Sequence, residues 1–320
     1  MMRKNFVTGG AGFIGSNLVD RLLAAGEAVV VYDNFSSGQE RFLEGASTHP
    51  LFTLVRGDVL DPDGLVSAME GCDRVWHMAA NADVRFGCDH PRRDLEQNTI
   101  ATHNVLEAMR LTGVKEIAFA STGSVYGEPE IHPTPENAPF PVQTSLYAAS
   151  KLAGEGLIQA YCEGFGFRGR IFRLVSILGE RYTHGHVFDF CRSLLRDPER
   201  LRILGDGRQR KSYLYIGDCI SAMLLVMEKT AGKVAIYNLG TDSCVTVDES
   251  AATICRRLGV NPVFEHTGEE RGWVGDAPFI WLDTTRVHSL GWRPRVDILD
   301  AVETTVDWIL ANRWVFGARD

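Results

Sequence analysis

The sequence predicts an α/β fold with a doubly wound parallel sheet and a smaller C-terminal α/β lobe. Short apolar segments alternate with segments of helical spacing in the first half of the chain. A glycine-rich turn follows the first apolar segment, and the alternation ends after Gly179. Alternating strands and helices form βαβ units, which place parallel strands in one sheet with helices on both faces. The first half is therefore expected to be Rossmann-type.

Six strands and four of the five predicted helices follow from the apolar pattern, and the fifth helix carries Tyr147 and Lys151. Apolar runs of about four to eight residues are typical of buried strands, and apolar residues spaced three or four apart are typical of helices. The predicted strands span 5–8, 28–32, 52–56, 74–78, 116–120 and 171–175. The four helices from the apolar pattern span 13–25, 62–70, 95–112 and 302–309. Prolines at 198, 262, 278 and 294 then separate shorter elements, which indicates the smaller lobe.

The composition is that of an ordinary globular protein and argues against two classes of partner. The chain has 320 residues, 45% of them hydrophobic, and a formal net charge of -8. An acidic protein repels nucleic acid and anionic membrane, so we expect neither as a partner. We also expect no membrane helix, which needs roughly 18 apolar residues, and no secretory signal. Seven scattered cysteines without a CxxC pair indicate reduced thiols and a cytoplasmic location.

The turn after the first strand has the glycine spacing of a dinucleotide-binding site. Glycines stand at 9, 12 and 15 in the segment TGGAGFIG. In such a turn Gly9 permits the tight bend, Gly12 lets the backbone approach a pyrophosphate, and Gly15 lets the helix pack close to the strand. The helix that begins with Phe13 and Ile14 offers its N–H groups and positive dipole end to the phosphates. A glycine-rich turn without a ligand is the alternative.

Asp33 is the acidic residue that such a site needs after the second strand, and it lies 18 residues past the last of these glycines. A carboxylate there accepts hydrogen bonds from the adenosine ribose and repels a 2′-phosphate, which favours NAD over NADP. Arg41 would weaken this preference if it folded back toward the ribose. Asp58 follows the third strand and is placed to meet the adenine amine, although a turn-forming aspartate fits the spacing almost equally well.

Tyr147 and Lys151 form the candidate catalytic pair. They lie four residues apart on a predicted helix and therefore share one face. A nearby ammonium and the cationic nicotinamide both favour the phenolate, so we expect the pKa of Tyr147 to be lowered. A phenolate is a competent general base for an alcohol proton. Thr122 follows the fifth strand and is expected to hydrogen-bond the reacting oxygen, whereas the hydroxyls of Ser121 and Ser124 fit a turn-stabilising role equally well.

Together these segments resemble the extended short-chain dehydrogenase/reductase family, in its nucleotide-sugar epimerase and dehydratase branch. The resemblance covers nearly the whole chain. The matching segments are TGGAGFIG at 8–15, DNFSSG at 33–38, HMAA at 77–80, Asn98 with Asn104, STGSVYG at 121–127, YAASK at 147–151, GDGRQRKSYLYIGD at 205–218 and LGWRP at 290–294. The resemblance implies NAD as the cofactor, a nucleotide sugar as the substrate and no metal.

The resemblance also implies which residues hold the cofactor and how the chain is organised. Residues 1–175 would form the NAD-binding domain, with 213–243 returning to it, and 176–212 and 244–320 would form the substrate-binding lobe. The helices around 95–112 and after Tyr147 would form a four-helix interface in a homodimer. The implied cofactor-binding residues are Gly9, Gly12, Phe13, Ile14, Gly15, Asp33, Asn34, Ser36, Ser37, Gly38, Asp58, Val59, Ala79, Ala80, Asn98, Tyr147, Lys151 and Val175.

The two residues after the catalytic threonine distinguish the subclasses that the resemblance offers. In 4,6-dehydratases an Asp-Glu pair follows that threonine, and decarboxylases carry Glu at the second position, whereas this chain has Gly123 and Ser124. The remaining set of Thr122, Tyr147 and Lys151 is that of the 4-epimerases, with a UDP-hexose as the expected substrate. The alternatives are a 2-epimerase of a CDP-sugar, a decarboxylase or dehydratase, and a non-catalytic NAD-binding regulator.

The substrate side departs from the family pattern at three positions. Ser176 stands where the family usually has Asn, and Lys211 and Trp273 each stand where it has Arg. Lysine keeps the charge but loses bidentate phosphate geometry, so the nucleotide base stays open. The histidines at 184 and 186 lack the further ligands of a zinc site, and we expect no metal. The expected substrate-binding residues are Ser124, Ser176, Arg210, Lys211, Arg271 and Asp276.

Overall fold

A computed structural model describes residues 2–82, 89–140, 142–268, 271–272, 277 and 279–318. In chain order its strands are β1 (Lys4–Thr8), β2 (Ala28–Asp33), β3 (Phe52–Arg56), β4 (Arg74–His77), β5 (Glu116–Thr122), β6 (Arg168–Leu174), β7 (Ser176–Leu178), β8 (Arg200–Ile203), β9 (Arg210–Lys211), β10 (Tyr213–Tyr215), β11 (Val234–Leu239), β12 (Val245–Thr246), β13 (Val263–His266) and β14 (Phe279–Ile280). Each predicted strand corresponds to one of these strands. β3 has the predicted ends, and the ends of the other five differ from the prediction by one to three residues.

The helices connect these strands in the alternation that the sequence predicts. In chain order they are α1 (Phe13–Ala24), α2 (Glu44–Ser47), α3 (Pro62–Met69), α4 (Pro91–Asp94), α5 (Ala101–Thr112), α6 (Leu146–Phe165), α7 (His186–Arg196), α8 (Ile216–Lys229), α9 (Val247–Leu258), α10 (Thr285–His288) and α11 (Ile298–Ala311). The helix predicted at 95–112 has two parts, because a π-helical stretch (Leu95–Ile100) precedes α5. Such stretches are frequent at functional sites.

The main sheet has seven strands in the order β11-β6-β5-β4-β1-β2-β3. β1 pairs in parallel with β2 and with β4, and the pairs β2–β3 and β4–β5 are parallel too. The strand order therefore reverses between β1 and β4, and the carboxyl ends of those two strands flank a switch point of the kind where open α/β sheets bind ligands. The predicted Rossmann-type fold class is confirmed.

The chain divides into two compact units. The first comprises residues 1–125, 145–173 and 222–237, and the second comprises 126–144, 174–221 and 238–320. The first unit contains the glycine-rich turn and the candidate catalytic pair. Among its described residues the second contains three smaller sheets, in which β10 pairs with β7, β9 with β12 and β14, and β13 with β8.

The core of the first unit fixes the positions of the strands that carry the site. Helices α3, α5 and α6 place apolar side chains against the sheet, among them Leu65, Val105 and Ile158, each fully buried. Phe119 of β5 is also fully buried and lies in the same cluster. Burying a side chain of this size contributes roughly 1.5–3 kcal/mol. This packing holds the carboxyl end of β5 in place.

Candidate active site

The glycine-rich turn joins β1 to α1 at the carboxyl edge of the sheet. Gly9 has a φ of +68°, in the left-handed region that favours glycine. A Cβ at this position would lie 2.6 Å from the backbone nitrogen of Ala79. The N–H of Gly12 closes the turn by donating to the carbonyl of Gly9 at 3.1 Å. The turn thus needs glycine at its first position for its backbone angle and for the close approach of the chain after β4.

Gly15 and Gly12 differ in what surrounds them. A Cβ on Gly15 would lie 2.1 Å from the carbonyl oxygen of Gly9, so the start of α1 leaves no room for a side chain. Gly12 has extended backbone, and among the described residues a Cβ there meets the Gly9 oxygen alone, at 3.2 Å. The N-terminus of α1, which begins at Phe13 and Ile14, has no side-chain cap. An approachable backbone before an uncapped helix is the arrangement that accepts a pyrophosphate, so this turn fits NAD.

Asp33 is the last residue of β2, and its side chain is held by the glycine-rich turn. Its Oδ2 accepts a hydrogen bond from the Ala11 N–H at 2.9 Å, and its Oδ1 accepts from the Phe35 N–H at 2.8 Å. Burial raises the pKa of this carboxyl, and the two backbone hydrogen bonds oppose that rise. A carboxylate has about four acceptor positions, so these bonds orient the group and leave lone pairs for ribose hydroxyls.

Asp58 sits in a network that supports the loop after β3. Its Oδ2 accepts from Asn34 Nδ2 at 2.9 Å, and its Oδ1 accepts from the N–H of Leu60 at 2.9 Å. Val59 is buried, and its carbonyl accepts from Asn104 Nδ2 at 3.1 Å. The bond from the N–H of Leu60 to Asp58 is the contact expected of a turn-forming aspartate, which was the alternative considered from the sequence. Contact of Asp58 with adenine stays a prediction.

The remaining predicted cofactor residues occupy two loops of the first unit and one strand end of the second. The amide of Ser36 donates to Asn34 Oδ1 at 2.9 Å. A Cβ on Gly38 would lie 3.0 Å from Asp33 Oδ1, so this loop packs on the carboxylate of Asp33. Ser37 belongs to the same loop, Ala79 and Ala80 follow β4, and Val175 is buried directly after β6.

Thr122 and Tyr147 meet beside the carboxyl end of β5. The Tyr147 phenol is hydrogen-bonded to the Thr122 side chain. Thr122 Oγ1 also accepts from the N–H of Ser124 at 3.1 Å and donates to Ser124 Oγ at 3.2 Å. Tyr147 stands here because Ser145 caps α6, accepting from the N–H of Ala148 at 3.1 Å, so that the helix begins one residue before the tyrosine. The predicted hydroxyl and phenol are therefore side by side.

Lys151 lies one helical turn beyond Tyr147 and is 2% exposed. Its ammonium donates to the carbonyl of Ala120 at 2.9 Å and lies 4.8 Å from the centre of the Phe119 ring. Burial lowers the pKa of Lys151 to about 7, while Asp94 and Glu155 act in the opposite direction. An amine with that pKa is only partly charged at neutral pH.

The pKa of Tyr147 differs from the sequence-based expectation. Burial raises it to about 12, and the hydrogen bond with Thr122 offsets only part of that rise. The negative charge of Asp94 adds to the rise. The expected lowering by Lys151 does not contribute to the pKa of Tyr147 in the protein alone. Burial lowers the pKa of that lysine itself to about 7. A further positive charge beside the phenol is needed before the phenolate becomes an effective base.

A buried chain of hydrogen bonds around His77 was not identified from the sequence. His77 is fully buried at the end of β4, and burial lowers its pKa to about 3, so the imidazole is neutral. Thr102 Oγ1 donates its proton to the carbonyl of Asn98 at 2.5 Å, so at 3.1 Å it accepts from His77 Nε2. His77 Nδ1 then accepts from Thr8 Oγ1 at 2.7 Å. The sequence feature that could have indicated this hydrogen-bond chain is a histidine within a largely apolar strand.

Asn98 uses its side-chain amide to join the π-helical stretch to α6. Its Oδ1 accepts from the N–H of Asn81 at 2.9 Å, and its Nδ2 donates to Ser150 Oγ at 2.9 Å. Ser150 Oγ in turn donates to the carbonyl of Tyr147 at 2.7 Å. The described contacts of Asn98 thus position the first turn of α6, and its contact with NAD stays a prediction.

A buried ion pair supports the strand end that carries Thr122. Arg173 of β6 is 2% exposed and Glu155 of α6 is fully buried, with Nη2 and Oε2 2.7 Å apart. Ser121 Oγ donates to the other oxygen of Glu155 at 2.5 Å. The hydroxyl of Ser121 thus supports the buried ion pair, which is not the turn-stabilising role considered from the sequence. Breaking a buried pair costs about 3–5 kcal/mol, so this network holds β5, β6 and α6 in register.

The predicted substrate residues lie mostly in the second unit. Ser176 begins β7 and is exposed, and Arg210 and Lys211 form β9. The guanidinium of Arg210 lies 5.6 Å from the centre of the Phe279 ring. Arg271 forms an ion pair with Glu128. Ser124 belongs to the first unit, beside Thr122. Asp276 and Trp273 lie outside the described residues.

Three further features bear on the expected partners. Within the described ranges, no group of three or more His, Cys, Asp or Glu side chains is placed to hold a metal ion. None of the helices described here is both long enough and apolar enough to cross a membrane. The six cysteines in the described part of the chain are not in disulfides.

Known proteins match this chain over most of its length. A family model described as the NAD dependent epimerase/dehydratase family matches residues 5–240. A UDP-glucose 4-epimerase of Mycolicibacterium smegmatis is 33% identical over 315 residues, which cover 95% of this chain and 98% of that protein. A UDP-glucuronic acid decarboxylase 2 of Arabidopsis thaliana is 32% identical over 302 residues, covering 91% of this chain and 65% of that protein.

The fold also matches a solved structure in this group. The crystal structure of a Thermus thermophilus UDP-glucose 4-epimerase in complex with NAD has a TM-score of 0.85 and 32% identity to this chain. The match covers 96% of this chain and 99% of that one. An epimerase and a decarboxylase are thus similar to this chain in sequence, and an epimerase is also similar to it in fold.

Proposed function

This chain belongs to the NAD dependent epimerase/dehydratase family, and from that premise we propose that it is a nucleotide-sugar 4-epimerase acting on a UDP-hexose. The prediction of NAD as the cofactor is confirmed by the family and by its NAD-bound structural neighbours. The observation that carries the finer proposal is the contact between Tyr147 and Thr122, with Lys151 one turn away and no carboxyl at 123 or 124.

The chemistry follows from what each side chain does at the sugar. When bound, NAD supplies the hydride acceptor and donor and a positive charge that favours the phenolate. Tyr147 takes the proton from the O4 hydroxyl, while the Thr122 hydroxyl orients that oxygen. Tyr147 then returns the proton to the 4-keto oxygen after the sugar has turned its other face to the cofactor. Sugar and nucleotide leave with unchanged mass, because the reaction only inverts C4.

Ser124 argues against elimination or decarboxylation as the main reaction. The resemblance gives those reactions a carboxyl at 123 or 124, and the hydroxyl of Ser124 does not ionise near neutral pH. Ser124 instead exchanges hydrogen bonds with Thr122. Its place beside Thr122 supports the proposal that it meets the substrate. We propose the same role for Ser176, Arg210 and Lys211, and for Arg271 once it leaves Glu128.

The test of this function is an NMR time course of the purified protein with UDP-, dTDP-, GDP- and CDP-hexoses, without added reductant. We expect one UDP-hexose to equilibrate with its C4 epimer at constant mass. Inversion at C2 of a CDP-sugar would keep the site and change the subclass. Loss of carbon dioxide or water would replace the proposal by a decarboxylase or a dehydratase, and no turnover of any sugar would favour a regulator.

We also propose that two copies of this chain associate through α5 and α6. Along α6, exposed small and apolar residues recur at alternating spacings of three and four, which places them on one helical face. On the neighbouring elements Leu95, Ile100 and Leu111 are 52%, 40% and 61% exposed. Exposed apolar faces of this kind mark interaction surfaces. The α6 face consists of Leu146, Ala149, Ala153, Gly156 and Ala160.

Replacing Ala153 by glutamate is expected to convert the dimer to a monomer. In a two-fold interface the α6 face of one protomer contacts the same face of its partner. The change therefore places two negative charges in one closely packed interface. Sedimentation velocity measures the result. Ala252→Glu is the matched control, since Ala252 is an exposed alanine of α9 outside this face. A monomeric wild-type protein, or an unchanged Ala153→Glu dimer, would contradict the proposed interface. The cytoplasmic location stays a prediction.

A further inference from the structure

Charged residues cluster at the amino edge of the main sheet, opposite the edge that carries the active site. Three neighbouring strands begin with a charged residue, namely β4 with Arg74, β5 with Glu116 and β6 with Arg168. Arg3 immediately precedes β1, and Arg170 is the third residue of β6. Because these strands are adjacent in the sheet, their first residues converge. We call these five residues the amino-edge cluster.

The centre of the amino-edge cluster is a single carboxylate shared by two guanidinium groups. Arg74 Nε lies 2.9 Å from one oxygen of Glu116, and Arg168 Nη2 lies 2.5 Å from the other. Arg74 is 4% exposed, whereas the side chain of Arg168 is 57% exposed. One charge of the carboxylate therefore balances only one of the two cations that it contacts.

Arg170 brings a third guanidinium to the same place. It is 4% exposed and donates to the carbonyls of Thr230 at 2.7 Å and Gly232 at 3.2 Å, just after α8. Burial lowers the pKa of Arg170, and the charge of Arg168 acts in the same direction. These contacts hold the guanidinium in place, but neutral carbonyls do not cancel its charge.

A cavity of about 330 Å³ lies among these side chains. Its lining consists of the five residues of the amino-edge cluster together with Met227, Glu228, Thr230, Ala231 and Gly232. Four guanidinium groups face the two carboxylates of Glu116 and Glu228, which leaves a net charge of +2. The guanidinium of Arg3 has no hydrogen bond or ion pair within the part of the chain that the structure describes. The cavity is thus large enough for a small ligand and carries excess positive charge.

We propose that the amino-edge cluster binds the phosphate group of a small molecule. Guanidinium groups present planar, paired donors that match phosphate oxygens. A phosphate monoester carries about −1.5 to −2 charges at pH 7, which balances the excess of +2. Buried Arg74 and Arg170 supply a fixed positive field, and exposed Arg3 and Arg168 supply donors that reorient toward the ligand. Free phosphate and the phosphate of an organic metabolite share this chemistry.

The site is separate from the catalytic centre. The active-site residues follow the carboxyl ends of β1, β2 and β5, and parallel strands place those ends at the opposite edge from their first residues. A strand of five residues spans roughly 16 Å, so no single phosphate contacts both edges. A phosphate bound at the amino-edge cluster therefore does not occupy the proposed epimerase site.

The test is calorimetric titration of the NAD-loaded protein with inorganic phosphate at constant ionic strength, with chloride titrated as the reference. We expect phosphate to bind and chloride not to. Arg3→Gln leaves every described ion pair intact and should weaken binding about tenfold, the size of one lost charged hydrogen bond. Arg3→Gln combined with Arg168→Gln should abolish it. Arg21→Gln, at an exposed position of α1, is the matched control and should bind like wild type.

A second pair of variants separates this site from the substrate site. Phosphate binding that survives Arg3→Gln with Arg168→Gln, but is lost in Lys211→Gln, would overturn the proposal and place phosphate at the substrate residues. Absence of binding by the wild type would overturn it as well. If phosphate binds and the cluster variants lose it, ribose 5-phosphate and a nucleoside diphosphate then distinguish free phosphate from an organic source. Sugar turnover is not the readout, so failure of the proposed function leaves this result intact.

Discussion

Tyr147→Phe is expected to lower turnover by roughly 10²–10⁴-fold while NAD stays bound, because only the acid–base group is lost. The phenol is the group that contacts Thr122, and the change removes a single oxygen from a packed position. Turnover of the substrate identified by the sugar panel measures the effect, and the absorbance of bound cofactor reports its retention. A variant within several-fold of wild type would remove Tyr147 from the catalytic role.

Tyr161→Phe provides the matched control on the same helix. Burial raises the pKa of Tyr161 to about 12, as it does for Tyr147, but its hydroxyl donates to Glu107 at 2.5 Å, away from Thr122 and Lys151. We expect Tyr161→Phe to keep wild-type turnover. Equal losses in both variants would show that the helix, rather than the phenol at 147, was damaged.

Ionising the phenol of Tyr147 is unfavourable in the protein without cofactor, so the direction in which activity changes with pH can be predicted. A pKa of about 12 means that the phenol is protonated throughout the neutral range. Activity of the wild type should therefore rise with pH, because the phenolate fraction grows until the pH reaches the pKa of Tyr147 in the NAD-loaded protein. Each unit by which positive charge lowers that pKa is worth about 1.4 kcal/mol. That ascending limb should disappear in Tyr147→Phe.

Asp33→Ala is expected to weaken NAD binding about ten- to hundredfold and to reduce discrimination against NADP. The change removes hydrogen bonds from a charged acceptor, each worth about 1.5–3 kcal/mol, and it removes the charge that repels a 2′-phosphate. It also frees the N–H groups of Ala11 and Phe35, which loosens the turn. Equilibrium titrations with NAD and NADP measure the two affinities.

Asp58→Ala is the control that separates ribose recognition from loop support. Like Asp33, Asp58 accepts hydrogen bonds from neighbouring groups, here the N–H of Leu60 and the side chain of Asn34. Unlike Asp33, it follows β3 and not β2. We expect its removal to leave the NAD-to-NADP ratio near that of wild type. An unchanged ratio in Asp33→Ala would show that Asp33 does not face the ribose, and Arg41 would then become the first residue to examine.

The sequence alone predicted the fold class and the contacts that are local in the chain. The glycine spacing at 9, 12 and 15, the end of β2 at Asp33 and the four-residue spacing of Tyr147 and Lys151 all act within one βα unit or one helix. Backbone angles, steric room and helical periodicity are set by neighbouring residues, so these features can be inferred without the tertiary structure.

Strand ends and the last sheet strand were harder to predict. β5 extends to Thr122, two residues beyond its predicted end, and β6 begins three residues before its predicted start. β11 was expected only as part of a segment returning to the first domain, and it forms the edge beside β6. Pairing with a neighbouring strand decides these limits, and a local apolar pattern does not contain that partner.

Only the tertiary structure decided the electrostatics of the site. Burial raises the pKa of Tyr147, and burial lowers the pKa of Lys151. The buried hydrogen bond between His77 and Thr8 joins residues 69 positions apart, and the amino-edge cluster brings Arg3 together with Arg168. Burial and charge balance depend on every element packed around a group, whereas a sequence motif records only the residues beside it. The sequence therefore determined which groups are present, and the fold determined what state they are in.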